Sequence, residues 1–80
     1  MKYKVGDMVL IRDDLMIDYY YGGCYFNHYM INFKNKLATI TFVYGVGVDT
    51  RYSINLDDGI CNWTDEMFSG KLIGNKILKG

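Results

Sequence analysis

The stretch Arg51-Tyr52-Ser53-Ile54-Asn55-Leu56-Asp57-Asp58-Gly59-Ile60-Cys61-Asn62-Trp63-Thr64-Asp65-Glu66 decides the fold class. Asp-Gly is a favoured two-residue turn between antiparallel strands, because both residues tolerate positive φ. With Asp58-Gly59 as the loop, Asp57 faces Ile60 and the register follows. One face then carries Leu56 with Cys61, Ile54 with Trp63 and Tyr52 with Asp65. The other carries Asn55 with Asn62, Ser53 with Thr64 and Arg51 with Glu66. A slip of one residue would send every side chain to the opposite face and mix apolar with polar. The division predicts a hairpin with one buried face. Trp63 then packs inside beside Ile54, with its indole N–H reaching an acceptor at the rim.

Working outward, Leu37-Ala38-Thr39-Ile40-Thr41-Phe42-Val43 is rich in β-branched and aromatic residues, as strands are. Ala38, Ile40 and Phe42 alternate with Thr39 and Thr41, which predicts a half-buried strand with those three inside. Gly45 and Gly47 mark the turn after it. Near the start, Gly6-Asp7 supplies turn chemistry ahead of Met8-Val9-Leu10-Ile11-Arg12. Val5, Val9 and Ile11 share the parity of a core face. Met8 and Leu10 make the opposite face apolar too. The segment 13–35 is less regular. Gly22-Gly23 interrupts any helix, and Asn27 suits the N-cap of a short helical turn over 28–33, with Tyr29, Met30 and Phe33 on one side. Met67-Phe68-Ser69-Gly70 ends the hairpin region, and residues 69–80 read as a tail or a last short strand.

Eighty residues make one domain over 1–80, with its core in 4–68. A chain this short buries only about 60% of its extended surface, so its core is modest. Four strands, a long first loop with a short helical turn and tight later turns predict a mainly β fold. The expected form is a small SH3-like barrel, ahead of an oligonucleotide-binding-type barrel.

The nine Lys and Arg balance nine Asp and Glu, so the formal net charge is zero. Non-specific nucleic-acid binding rests on a surplus of cations against phosphates, and nucleic acid is therefore not an expected partner. No apolar run approaches a membrane span, and no signal-peptide pattern follows Met1. Two widely separated cysteines, Cys24 and Cys61, read as reduced thiols in a cytoplasmic protein.

Catalytic candidates are weak. Asp13-Asp14, Asp57-Asp58 and Asp65-Glu66 are adjacent pairs, and neighbours on a strand point to opposite faces. Asp57-Asp58 is accounted for by turn chemistry. Cys24, His28 and Cys61 lack the paired spacing of structural zinc sites. The expectation is a non-enzymatic chain with no cofactor and no metal.

Aromatic residues make up 16% of the chain, and eight are tyrosines. Tyr19, Tyr20, Tyr21, Tyr25, Phe26 and Tyr29 crowd into eleven positions around the two glycines, with Asp13, Asp14 and Asp18 at the border. Successive side chains of an extended segment alternate in direction, so three consecutive tyrosines cannot all be buried. Tyrosine gives large contact area at low entropic cost and is frequent in binding surfaces. The candidate partner- or ligand-binding residues are Tyr19, Tyr20, Tyr21, Tyr25, Tyr29, Asp14 and Asp18. The alternative reading is purely structural: Phe26, Tyr29 and Phe33 close over the core and the remaining rings merely lie on the surface.

Three blocks of the chain also carry a resemblance. Lys4-Val5-Gly6-Asp7-Met8-Val9-Leu10-Ile11-Arg12, Tyr21-Gly22-Gly23-Cys24-Tyr25-Phe26 and Trp63-Thr64-Asp65-Glu66-Met67-Phe68 resemble a family of short uncharacterised accessory proteins of phages and prophages of Gram-positive bacteria. The resemblance implies a protein made in the host cytoplasm that inhibits a host defence protein by binding it. Sequestration of a small nucleotide signal, with tyrosines stacking on the base, is the alternative of a different class. The exposed rings also allow a homodimer. The family has no agreed chemistry, so no catalytic residue carries over.

Overall fold

The computed structural model describes residues 3–79. It has seven strands: β1 (Met8–Ile11), β2 (Tyr20–Tyr21), β3 (Cys24–Tyr25), β4 (Leu37–Tyr44), β5 (Arg51–Ile54), β6 (Phe68–Ile73) and β7 (Lys76–Lys79). Single 3-10 turns occupy Met30–Phe33, Gly47–Asp49 and Asp65–Met67. Five strands form one antiparallel sheet in the order β5-β4-β1-β6-β7, while β2 and β3 form a separate hairpin. The mainly β expectation is met. Among the described residues no pairing joins β5 to β7, so no closed barrel is found.

The eight-residue strand β4 holds the sheet together. Its first half pairs with β1 (Met8 opposite Thr39, Leu10 opposite Leu37) and its second half with β5 (Val43 opposite Tyr52, Tyr44 opposite Arg51). The β4–β5 register shifts between Ile40 and Phe42. An extra residue on one strand reverses the parity that follows it. Ala38 and Ile40 are buried as expected, but Phe42 is 59% exposed, and Val43 packs against the core in its place.

Val5 is a second correction. It is exposed, while Val9 and Ile11 are fully buried. The Asp7 N–H donates to the Lys4 carbonyl at 3.0 Å and the Lys4 N–H donates to the Asp7 carboxylate at 3.0 Å. This turn takes Val5 off the strand's parity before β1 begins.

The central hairpin forms in a different register. Tyr52 faces Trp63 across a bridge with bonds of 2.8 and 3.0 Å, where Ile54 was expected opposite Trp63. The shift is two residues, so the faces are preserved. Tyr52, Ile54, Cys61 and Trp63 are all buried. The cause is Asp57, whose side chain turns inward and is 1% exposed. Its carboxylate accepts from the Gly59 N–H, the Cys61 N–H and the Trp63 indole N–H, each at 3.0 Å. A buried carboxylate is tolerated when its lone pairs are taken up by donors. Here those donors also fix a turn longer than two residues. Thr64, expected on the polar face, is buried, and Arg51 does not face Glu66, which lies in the 3-10 turn before β6. The Arg51 guanidinium instead donates to the carbonyls of Val48 and Thr50.

Trp63 lies at the middle of the core. Its ring is stacked on Phe68 at 6.3 Å and meets Phe26 and Phe33 edge-on at 6.4 and 6.3 Å. The Tyr52 hydroxyl donates to Asp65 at 2.6 Å, so the expected association of these two side chains holds by hydrogen bond, although they are not strand partners. Residues 69–79 are the rest of β6, which pairs with β1, and the whole of β7. Gly70 lets this happen, since any side chain there would collide with the Leu78 backbone.

Candidate functional site

The tyrosine-rich segment is a tight hairpin. Tyr20 faces Tyr25 and Tyr21 faces Cys24, leaving Gly22-Gly23 as the two-residue loop. Both glycines have positive φ (59° and 85°), which the favoured hairpin turn requires and which side chains resist. The ladder continues outward, with Asp18 N–H bonded to the Phe26 carbonyl and Phe26 N–H to the Tyr19 carbonyl, both at 2.9 Å.

This pairing sorts the tyrosines into two groups. Tyr21 is half-buried and structural. Its ring meets the buried Phe26 edge-on at 6.2 Å, its hydroxyl accepts the Met16 N–H at 2.9 Å, and its carbonyl accepts the Thr64 hydroxyl at 2.8 Å. The Arg12 guanidinium sits 5.4 Å over its ring and donates to the Glu66 carbonyl at 2.7 Å. Asp14 belongs to this cluster. It takes both Arg12 donors at 2.9 and 3.1 Å, and the pair holds its carboxyl below the usual range and raises the guanidinium. Asp14 and Tyr21 therefore lock the hairpin onto the body of the protein.

Tyr20 and Tyr25 form the outward pair, with rings 5.5 Å apart and edge-on. The Tyr25 hydroxyl donates to Asp18, a bond that raises the phenol's pKa. Tyr19, Tyr20, Tyr25 and Tyr29 are 56%, 70%, 43% and 44% exposed. Tyr29 leans edge-on against Phe33 at 5.3 Å, and the helical turn buries only Met30. Asn27 accepts the Met30 N–H at 3.0 Å, but the 3-10 turn starts at Met30 with Tyr29 as its N-cap, so Asn27 secures the turn leading into it and is not the N-cap expected of a turn over 28–33. Of the three rings expected to close over the core, Phe26 is fully buried, Phe33 half-buried and Tyr29 exposed.

Two depressions flank the hairpin. A cavity of about 400 Å³ has Tyr25 and Tyr29 on one side and Ile60 and Asn62 on the other, with both cysteines in its wall. A groove of about 700 Å³ runs between the Gly22-Gly23 turn, residues 47–51 and residues 64–66. It holds Arg51 together with Asp49, Asp65 and Glu66. Ile60, Asn62 and the exposed Phe42 escaped the sequence reading. Regular alternation assigned Phe42 to the core, and a two-residue loop gave Ile60 no reason to project.

Cys24 and Cys61 are free thiols, half-buried and buried. Burial, and then the Asp57 charge, push the Cys61 thiol up, which disfavours the thiolate a nucleophile or metal ligand needs. Among the described residues no three His, Cys, Asp or Glu stand together where a metal could sit, and His28 is exposed. No described helix is long and apolar enough to cross a membrane.

Comparison of the chain with protein-family models, with curated proteins and with solved structures found no match in any of the three.

Proposed function

We propose that this chain is a non-enzymatic protein-binding module acting through its tyrosine hairpin. The observation that carries the reading is the outward group of Tyr19, Tyr20, Tyr25 and Tyr29, borne by a hairpin tied to the core through Tyr21, Thr64 and Arg12. Rings held in place before binding lose little entropy on association, which favours contact surfaces of this kind. The resemblance of the three sequence blocks to phage accessory proteins supports a host defence protein as the partner, met in the host cytoplasm. The long loop after β1 and the 3-10 turn before β6 support an SH3-like layout for the scaffold.

Charge favours this reading over nucleotide sequestration. Among the described residues no Lys or Arg lines the 400 Å³ cavity, and the 700 Å³ groove sets one guanidinium against three carboxylates. Phosphate groups need donors and positive charge. The same arrangement gives no footing for a nucleic-acid backbone.

The test is affinity capture from host lysate with wild type and with Tyr20→Ala/Tyr25→Ala, paired with calorimetry against a nucleotide panel. The expected result is a protein retained by wild type and lost by a variant that still melts cooperatively. Saturable submicromolar binding of a nucleotide, with no protein lost by the variant, would replace this reading with sequestration.

A further inference from the structure

The exposed rings do not stop at the hairpin. Phe42 lies 5.6 Å from Tyr44, and the Tyr44 hydroxyl donates to the side-chain carbonyl of Asn62. Asn62 and Ile60 form the wall of the cavity facing Tyr25 and Tyr29, and Tyr25 carries Tyr20 against its edge. Contacts thus run from the end of β4, through the turn after β5, to the hairpin. Phe42 is 59% and Ile60 71% exposed, so apolar surface is turned to water beside the cavity on the side across from Tyr25 and Tyr29. Patches of that kind in a small domain mark interaction sites more often than chance.

Among the described residues no Lys or Arg lines the cavity. Asp18 stands at the hairpin end, bonded by Tyr25, and exposed Asp58 stands two residues from Ile60 in the same turn. The lining is part apolar and part polar, with Tyr25, Tyr29, Met30 and Ile60 beside Asn27 and Asn62, and Asp18 reaches it through Tyr25. That combination suits an apolar side chain with cations beside it.

We propose that the binding surface extends across this cavity to Phe42 and Tyr44, and that it takes an extended segment of a partner protein bearing an aliphatic side chain flanked by Lys or Arg. The inference rests on the tyrosine-hairpin reading and deepens it. The aliphatic side chain seats between Tyr25, Tyr29 and Ile60. The flanking cations meet Asp18 and Asp58, where the attraction is screened by salt over about 8–10 Å at ordinary ionic strength.

The probe is a pair of blocked peptides, Ala-Lys-Leu-Lys-Ala and Ala-Glu-Leu-Glu-Ala, titrated into the whole labelled protein and followed by amide and side-chain NMR shifts. The expected result is saturable shifts at Tyr25, Tyr29, Ile60, Asn62 and Phe42 with the lysine peptide. Its affinity should be at least ten-fold above that of the glutamate peptide, and should weaken at least five-fold in Phe42→Ser/Ile60→Ser, whose exposed positions leave the fold intact. Loss on Tyr20→Ala/Tyr25→Ala with no change in Phe42→Ser/Ile60→Ser would overturn the extension and leave the hairpin reading standing. Indifference to both variants would overturn both. Shifts confined to the groove at Arg51, equal binding of the two peptides, or no saturable shift would overturn the inference. Concentration-dependent shifts at Tyr25, Tyr29 and Ile60 without any peptide would make a second copy the occupant and overturn it as well.

Discussion

Two hairpins of this protein are rich in aromatic residues, and they use them in opposite ways. Around Trp63 the rings face inward and their polar atoms have partners: the indole N–H on Asp57, the Tyr52 hydroxyl on Asp65. Around Gly22-Gly23 only Tyr21 and Phe26 turn toward the body, while Tyr20 and Tyr25 meet edge-on at the surface. The two-residue strands β2 and β3 are too short to form a layer of their own, so one face of their ladder must look outward. What separates the hairpins is supply of partners. Phe68, Phe26 and Phe33 pack around Trp63, whereas Tyr20 has the edge of Tyr25 against it and stays 70% exposed.

The sharpest way to break the contrast is at Asp57. Asp57→Ala strands two buried donors, the Cys61 amide and the Trp63 indole, at about 1–3 kcal/mol each. Trp63→Ala should cost about 3–5 kcal/mol, as large core truncations do. A small domain holds about 5 kcal/mol in all, so both variants should be largely unfolded at room temperature by circular dichroism. A cooperative, unshifted melt for either would show that the Trp63 cluster is not the core.

Next in size is the joint between the hairpins. A methyl group on Gly22 would stand 2.8 Å from the Thr64 hydroxyl, on a backbone at φ +59° that disfavours side chains. Gly22→Ala should therefore cost about 1–3 kcal/mol, strain and crowding together. Thr64→Val, which removes only the bond to the Tyr21 carbonyl, should cost about 1 kcal/mol. Urea unfolding measures both. Equal and negligible effects would mean that the tyrosine hairpin is not held by the body at all.

These positions also mark what the sequence made legible. Parity survived: Tyr52, Ile54, Cys61 and Trp63 were assignable to one face from alternation alone, and a two-residue error in register left that face unchanged. The turn did not survive, because Asp-Gly reads equally as a two-residue loop and as part of the longer turn that a buried Asp57 organises. Phe42 was lost to a bulge, which leaves no mark in a run of alternating residues. At the candidate site, crowding alone predicted that some tyrosines face outward. Which ones do so depends on Gly22-Gly23 acting as a hairpin loop, and the sequence reading took that pair only as a helix breaker. Asp14 looked like a border charge of the site, but Arg12 two residues before it claims both its oxygens.

A smaller effect separates the regions by pH. Burial, followed by the charges of Asp65 and Asp7, raises the pKa of Tyr3, whose ring packs edge-on against Tyr52 and Phe68. A group with a raised folded pKa contributes stability that is complete below its unfolded value, near 10, and lost as pH rises through the folded value. Wild type should lose stability above about pH 10, and Tyr3→Phe should lose it with a shallower slope. Chemical denaturation at pH 8, 10 and 11 measures the difference. Parallel slopes would mean that Tyr3 is hydrated.

The smallest predicted effect on stability matters most for function. Tyr20 is 70% exposed, and its one ring contact is with Tyr25, itself at the surface. An edge-on aromatic pair is worth about 0.5–1.5 kcal/mol, and surface substitutions away from special features stay within about 0.5 kcal/mol. Tyr20→Ala should therefore move the urea midpoint by less than about 1 kcal/mol of stability. Tyr21→Ala, one residue away, loses a half-buried ring and the hydroxyl that takes the Met16 amide, and should cost about 2–3 kcal/mol by the same measurement. Neighbours in sequence with such unequal effects are what a hairpin with one face in water requires. If Tyr20→Ala destabilised as much as Tyr21→Ala, its ring would be part of the fold, and the outward surface that the proposed binding depends on would not exist.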